Sequence, residues 1–169
     1  MLLRDATGAD LPAINEIYNH CVLSSTCTFQ ITPATLDERA AWLAGRGPLH
    51  PAIVIEEDGA VIAWGSLQAF HKREAYAATV ENSVYVHHGH YRRGLGKMIM
   101  EELIRRARSA GARSIVALIA ADQEGSLALH RALGFAEAGR LRQAGEKFGR
   151  VLDVIYMQLL LGPAIPQVA

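Results

Sequence analysis

A chain of 169 residues, half of them hydrophobic and a fifth charged, is long enough for one domain with a full core that hides about 70% of its unfolded surface. Seventeen basic residues against seventeen acidic ones leave no net charge, which argues against nucleic acid as a partner, since that partner calls for a basic excess. No apolar run approaches the roughly 18 residues of a membrane span, and Met1-Leu2-Leu3-Arg4-Asp5 meets charge too soon for a signal peptide, so a cytoplasmic protein without membrane contact is expected.

Leu2 to Ala6 reads as a first strand. Thr7 and Asp10 then form a capping-box-like pair before Leu11, Ile14, Ile17 and Cys21, whose spacing gives a helix with one buried stripe; Pro12 falls in the first turns, where a missing N–H is tolerated. Leu23 to Pro33 is a polar Ser/Thr-rich loop around Phe29. It fits a specificity pocket or a loop pinned by one buried ring equally well. A second helix is predicted from Thr35, capped by Glu38, with Leu36, Ala40 and Leu43 buried and Trp42 at the edge, ending at Gly45-Arg46-Gly47-Pro48. Ala52 to Glu56 and Val61 to Phe70 read as a hairpin around Asp58-Gly59, followed by a strand over Ala77 to Val86. A helix from Gly94, burying Leu95, Met98, Ile99, Leu103 and Ala107, stops at Gly111. Ser114 to Ile119 reads as a strand covered on both faces, Ser126 to Leu133 as a short helix ended by Gly134, and Val151 to Leu160 as the last strand. The elements predict one α/β domain over 1–169, with a mixed, mostly antiparallel sheet, helices on both faces and a loose tail at 163–169.

The most informative stretch runs from Val84 to Lys97. A strand breaks into a turn, and Gly94 and Gly96 open a helix whose first N–H groups lack partners and favour an anion. Arg92, Arg93 and Lys97 put positive charge at that same end, against the dipole, which points to a phosphate-bearing ligand; a solvated basic surface is the other reading. Leu95 stands where a Walker loop needs lysine, and Ile99 where a dinucleotide fingerprint needs its third glycine. His87-His88-Gly89-His90 has neither a cysteine nor paired carboxylates to complete a metal site, so an exposed turn and no metal are expected. Cys21 and Cys27 lack zinc spacing and read as small hydrophobes.

This stretch resembles the acetyl-CoA pyrophosphate loop of the GNAT N-acetyltransferase superfamily, Gln/Arg-x-x-Gly-x-Gly/Ala. Four more segments resemble its phosphinothricin and methionine-sulfoximine acetyltransferase branch: Ser25-Thr26-Cys27-Thr28-Phe29, Glu81-Asn82-Ser83-Val84-Tyr85-Val86, Leu129-His130-Arg131-Ala132-Leu133-Gly134-Phe135, and Lys147-Phe148-Gly149-Arg150 with Asp153. The resemblance implies the GNAT fold, acetyl-CoA as co-substrate, a small amino-acid-like acceptor and a homodimer. It implies that Tyr91, Arg92, Arg93, Gly94, Leu95, Gly96 and Lys97 hold the pyrophosphate, and that the backbone of Val84, Tyr85 and Val86 binds pantetheine beside Gln123 and Ser126. Two positions depart from the pattern: Tyr91 replaces Gln/Arg, and Gln123 replaces an asparagine and is longer by one methylene.

Acyl transfer from a thioester to an amine requires that the ammonium lose a proton, the oxyanion find a donor and the thiolate leave. Glu81, sharing a strand face with Ser83 and Tyr85, is the candidate base, with a pKa raised by apolar neighbours; a structural glutamate paired with Lys72 or Arg73 is the alternative. His130 stands where the superfamily usually has a tyrosine that protonates the leaving thiolate. Arg73 is the candidate clamp for a substrate carboxylate, with Phe29 and Tyr76 as pocket walls. The competing functions are a protein or peptide N-terminal acetyltransferase and a CoA-binding module without turnover.

Overall fold

Asp58 and Gly59 adopt φ values of 51° and 79°, the left-handed pair that a type I′ turn needs, and they join β2 (Ala52–Glu57) to β3 (Ala60–Ala69) as expected. This hairpin is the middle of the front half of a seven-stranded sheet, seen in a computed structural model that describes residues 1–162; the expected tail at 163–169 lies outside the described residues. With β1 (Leu2–Asp5), β4 (Thr79–Val86), β5 (Ser114–Ala120), β6 (Ala136–Lys147) and β7 (Arg150–Leu160), the order is β1-β2-β3-β4-β5-β7-β6. Every neighbouring pair is antiparallel except β4 and β5, which are parallel and linked by a crossover through α3 (Leu95–Ser109). The sheet is therefore mixed and mostly antiparallel.

Strand alternation sends side chains to two faces, each covered by helices. Ile53, Ile55, Ala63 and Leu67 pack with α3 and with Leu127 of α4 (Glu124–Ala132). Val54 and Trp64 pack on the other face with Ile14 and Ile17 of α1 (Leu11–Ser24). The Thr7–Asp10 capping box forms a 3-10 turn just before α1, and Asp10 also takes two hydrogen bonds from the Arg4 guanidinium. The buried stripe of α3 is Leu95, Ile99, Met100, Leu103, Ile104 and Ala107. Met98, expected inside, lies on the exposed side, because the stripe extends one residue C-terminal to Ile99 instead of one residue before it.

Gly65 lets α3 lie close on the sheet: a Cβ there would stand 2.3 Å from Ile99 Cγ2 and 2.9 Å from the Ser83 carbonyl. Gly65→Ala should therefore lower unfolding free energy by about 1–3 kcal/mol through overpacking, read by urea titration with an unchanged slope.

Two parts of the architecture differ from the sequence expectation. The second helix, α2 (Leu36–Ala44), does have the Thr35–Glu38 capping box, yet Leu36 and Ala40 are exposed and the buried residue is Arg39. Its guanidinium lies 4.4 Å from the ring centroid of Tyr18 on α1 and 5.6 Å from that of Trp64 on β3, with Trp42 of the same helix at 5.1 Å, so the helix docks through a cation against aromatic faces rather than through an apolar stripe. The other difference is β6, a 12-residue strand where no element was expected. Its residues are exposed almost throughout, and it is an edge strand with register shifts at Glu137/Gly139 and Leu141/Gly145. With no buried face it carries no apolar alternation to read.

Candidate active site

β4 and β5 stay in register only over Thr79–Glu81 opposite Ser114–Val116. Past that point each follows its outer neighbour, β4 along β3 to Val86 and β5 along β7 to Ala120, and the two separate. Backbone direction alternates along each strand. His87 N–H donates to Ile62 and Phe70 N–H donates to Thr79, so odd-numbered residues of β4 turn their peptide groups toward β3. Those of Val84 and Val86 consequently face the opening. Tyr85 turns its own peptide groups to β3 and contributes its side chain instead. The same count on β5, where Ala121 N–H donates to Asp153 and Arg113 accepts from Leu161, turns the peptide groups of Leu118 into the opening.

At the wide end of this split stands the N-terminus of α3. Gly94 is its cap, left-handed at φ 78°, with no side-chain capping bond, and Arg92 before it is left-handed at 61°. The first helical bond is Met98 N–H to the Gly94 carbonyl, so the N–H groups of Leu95, Gly96 and Lys97 are the orphan donors of this helix. The groove in front of them has a volume of about 630 Å³ and is walled by Tyr91, Arg92, Gly96 and Lys97 on one side and by Gln123, Ser126 and Leu129 on the other. Arg93 does not join them. Its guanidinium is held by both carboxylate oxygens of Glu57 at 2.8 Å, outside the groove. Leu95 buries its side chain in the core and has only its N–H to offer.

A second cavity of about 290 Å³ meets the groove along Cys27, Val84, Tyr85, Leu118, Ile119, Ala120 and Ser126. Its walls are the loop Thr26 to Phe29, Glu81 and Ser83 on β4, and His130. Glu81 accepts a hydrogen bond from Gln68 Nε2 at 3.2 Å, and burial pushes its carboxyl above the usual range. Gln68, and neither Lys72 nor Arg73, is its partner. His130 is 1% exposed. Its Nδ1 donates to the Ser126 carbonyl at 2.8 Å, which leaves Nε2 to accept from Asn82 Nδ2 at 3.1 Å, and burial lowers its pKa. That pairing is the arrangement of a neutral imidazole whose one proton goes to the Ser126 carbonyl. Arg73 and Tyr76 are exposed at the 3-10 turn Glu74–Tyr76; neither lines the cavity, and Tyr76 packs on Phe70. His87, His88 and His90 are a turn, with His87 Nδ1 accepting from Gly89 N–H, and no metal-binding cluster exists among the described residues.

The loop from Ser25 to Phe29 has no secondary structure, yet it is fastened at three places. Lys147, itself buried, donates from Nζ to the carbonyls of Ser25 and Thr28 at 2.7 Å each. Thr26 Oγ1 donates to Asp122 Oδ1 and accepts from Gln123 Nε2 at 2.6 Å, so the Gln123 amide is bound to this loop while its side chain walls the groove. The Phe29 ring lies on Gly145, where a Cβ would stand 2.6 Å from it. Sequence reasoning missed Asp122, Gly145 and the role of Lys147, because all three act on the loop from β6 or the β5–α4 turn. The only signal was that Lys147 sits in a segment that resembles the family.

Comparison with known proteins agrees with this geometry. Residues 12–135 match the model of the Acetyltransferase (GNAT) family. The chain is 40% identical over 162 residues to the L-methionine sulfoximine/L-methionine sulfone acetyltransferase of Salmonella typhimurium, covering 95% of each chain. A GNAT superfamily phosphinothricin acetyltransferase from Sinorhizobium meliloti, solved in complex with acetyl-CoA, is 39% identical with a TM-score of 0.89 over 95% of this chain and 88% of its own. A ribosomal-protein-alanine N-acetyltransferase from Brucella melitensis is also 39% identical, with a TM-score of 0.92 over 95% of this chain and 100% of its own. A separated pair of parallel strands, an uncapped helix start beside it and a matching family model over most of its length together show that this chain belongs to the GNAT family of acetyltransferases.

Proposed function

We propose that the chain acetylates the free amine of a small amino acid or analogue, of the methionine sulfone, methionine sulfoximine and phosphinothricin kind, by direct transfer in a ternary complex with acetyl-CoA. The observation that carries this is the small cavity holding one desolvated carboxylate, Glu81, which opens onto a groove lined by unpaired backbone groups. The groove fits acetyl-CoA: the orphan N–H groups of Leu95, Gly96 and Lys97 suit a pyrophosphate, Arg92 and Lys97 add charge, and Val84 and Val86 offer strand-like bonds to a pantetheine amide. Acetyl-CoA supplies the activated acyl group and a thiolate that leaves readily, a thiol having an ordinary pKa near 8.5.

Within this reading Glu81 receives the ammonium proton, which its raised pKa favours near neutrality. His130 holds Ser126 and Asn82 in place across the junction and is a positioning residue, because its Nδ1 proton is committed to the Ser126 carbonyl. Phe29 bounds the acceptor. Arg73 is the proposed partner of the substrate carboxylate from the rim: its loop joins β3 to β4 just before Glu81 without lining the cavity. The Brucella neighbour makes a peptide N-terminus the second reading.

A rate comparison tests both. Methionine sulfone should be acetylated at least tenfold more efficiently than an alanine-initiated peptide, and its carboxamide should lose about ten- to a hundredfold in kcat/KM if a charged hydrogen bond of ~1.5–3 kcal/mol is lost. Preference for the peptide overturns the small-acceptor reading, and equal rates for acid and carboxamide remove Arg73 from it.

A further inference from the structure

We propose that Cys27 is an acyl-accepting thiol: with no amine in the cavity, its sulfur takes the acetyl group from acetyl-CoA and returns it to CoA. The proposal rests on the reading that acetyl-CoA occupies the groove in front of α3. Its basis is position. Cys27 belongs to both cavities and stands where they meet, whereas Cys21 reaches the groove alone. The acyl group must pass this junction to reach an amine beside Glu81, so a nucleophile here faces the same carbonyl carbon that the amine would attack.

The surroundings of Cys27 suit that role. Lys147 Nζ bonds the carbonyls of Ser25 and Thr28, on either side of residue 27, which sets a buried cation beside the sulfur. The Cys27 N–H donates to Ser25 Oγ at 3.1 Å and fixes the backbone. Cys21, 5% exposed in the last turns of α1, lines the same groove. Its S–H holds the Cys27 thiol below the ordinary range against the opposing effect of burial, with Ser25 and Lys147 acting in the same sense as Cys21. Cys21 shifts the other way and remains a thiol. One sulfur is therefore the donor and the other the nucleophile, and it is the thiolate that attacks. The neighbouring hydroxyl of Thr26 is already committed to Asp122.

The step balances without any further reagent. The Cys27 thiolate, its proton already lost to solvent, forms a sulfur–carbonyl bond; the bond from carbonyl carbon to the CoA sulfur breaks, and its electron pair leaves on CoA, which takes up a solvent proton. One thioester replaces another, so the acetyl–enzyme level follows the ratio of acetyl-CoA to CoA.

The test uses the whole chain and acetyl-CoA carrying a radiolabelled acetyl group, with no acceptor added. Calorimetry of acetyl-CoA binding is run alongside. The expected result is one acetyl group per chain, mapped to the peptide containing Cys27, released by neutral hydroxylamine and stripped by excess CoA. Cys27→Ala should carry no label. Cys21→Ala should label more slowly at neutral pH, with the pH midpoint of labelling moved upward. A wild-type chain that binds acetyl-CoA but leaves Cys27 unlabelled overturns the proposal, as does a label that Cys27→Ala retains. An unmoved midpoint in Cys21→Ala overturns the donor role of Cys21. Absence of acetyl-CoA binding would instead overturn the reading of the groove.

Discussion

Glu81→Gln is expected to lower kcat/KM for the amine by about 10²- to 10⁴-fold, the usual contribution of a positioned base. The loss has a recognisable pH signature. In the wild type, activity should rise with pH as the carboxyl, raised by burial, gives up its proton. The variant should lose that limb and recover only as the amine itself deprotonates. Stability provides an independent check with a defined sign. A carboxyl whose pKa is raised by folding contributes most below its unfolded value, and that contribution is lost as pH climbs through the raised folded value. Glu81→Gln should therefore be as stable as the wild type in mild acid and relatively more stable near neutrality. Thermal unfolding at several pH values reads this. A variant that keeps the wild-type pH–rate profile would show that solvent removes the proton and that orientation supplies the rate.

The second large effect is expected at the start of α3. A Cβ on Gly96 would stand 3.3 Å from Leu129 Cδ2 and 4.0 Å from Val84 Cγ2, between the two walls of the groove. The extra methyl groups of Gly96→Val narrow the passage beside the free N–H groups, and acetyl-CoA affinity should fall at least tenfold, or ~1.4 kcal/mol. The domain itself should unfold at nearly the wild-type temperature, because the Leu129 side chain can turn aside. Calorimetric affinity equal to that of the wild type would mean that the cofactor does not run along this helix end.

What the sequence disclosed, and what it concealed, follows from the range of each interaction. Caps and turns are local, and Thr35 with Glu38, Asp58-Gly59 and the left-handed Gly94 all appear where their residue types place them. Face alternation also transferred, putting Glu81 in the cavity on the face opposite Asn82, which meets His130. The readings that went astray depended on distant partners. Arg93 belongs by its spacing to the anion turn, yet Glu57, 36 residues away, holds it. Arg39 is buried against Tyr18 of α1 and Trp64 of β3 as well as Trp42 of its own helix, and the first two are partners that no helical period encodes. Tyr76 is chemically suited to a pocket wall, but its turn leaves it outside the lining, packed on Phe70.

The separation of β4 from β5 has a consequence beyond catalysis. Two inner strand margins, at Val84 and Val86 on one side and Leu118 on the other, carry amide groups with no partner strand. An unpaired margin is a template for a stray strand from another molecule, the usual first contact in aggregation. A cofactor lying along Val84 and Val86 would occupy that template and act as a built-in chaperone of its own enzyme. Starved of acetyl-CoA, the protein should precipitate faster under mild heating, and these amides should exchange their hydrogens with solvent sooner than any others in the central sheet.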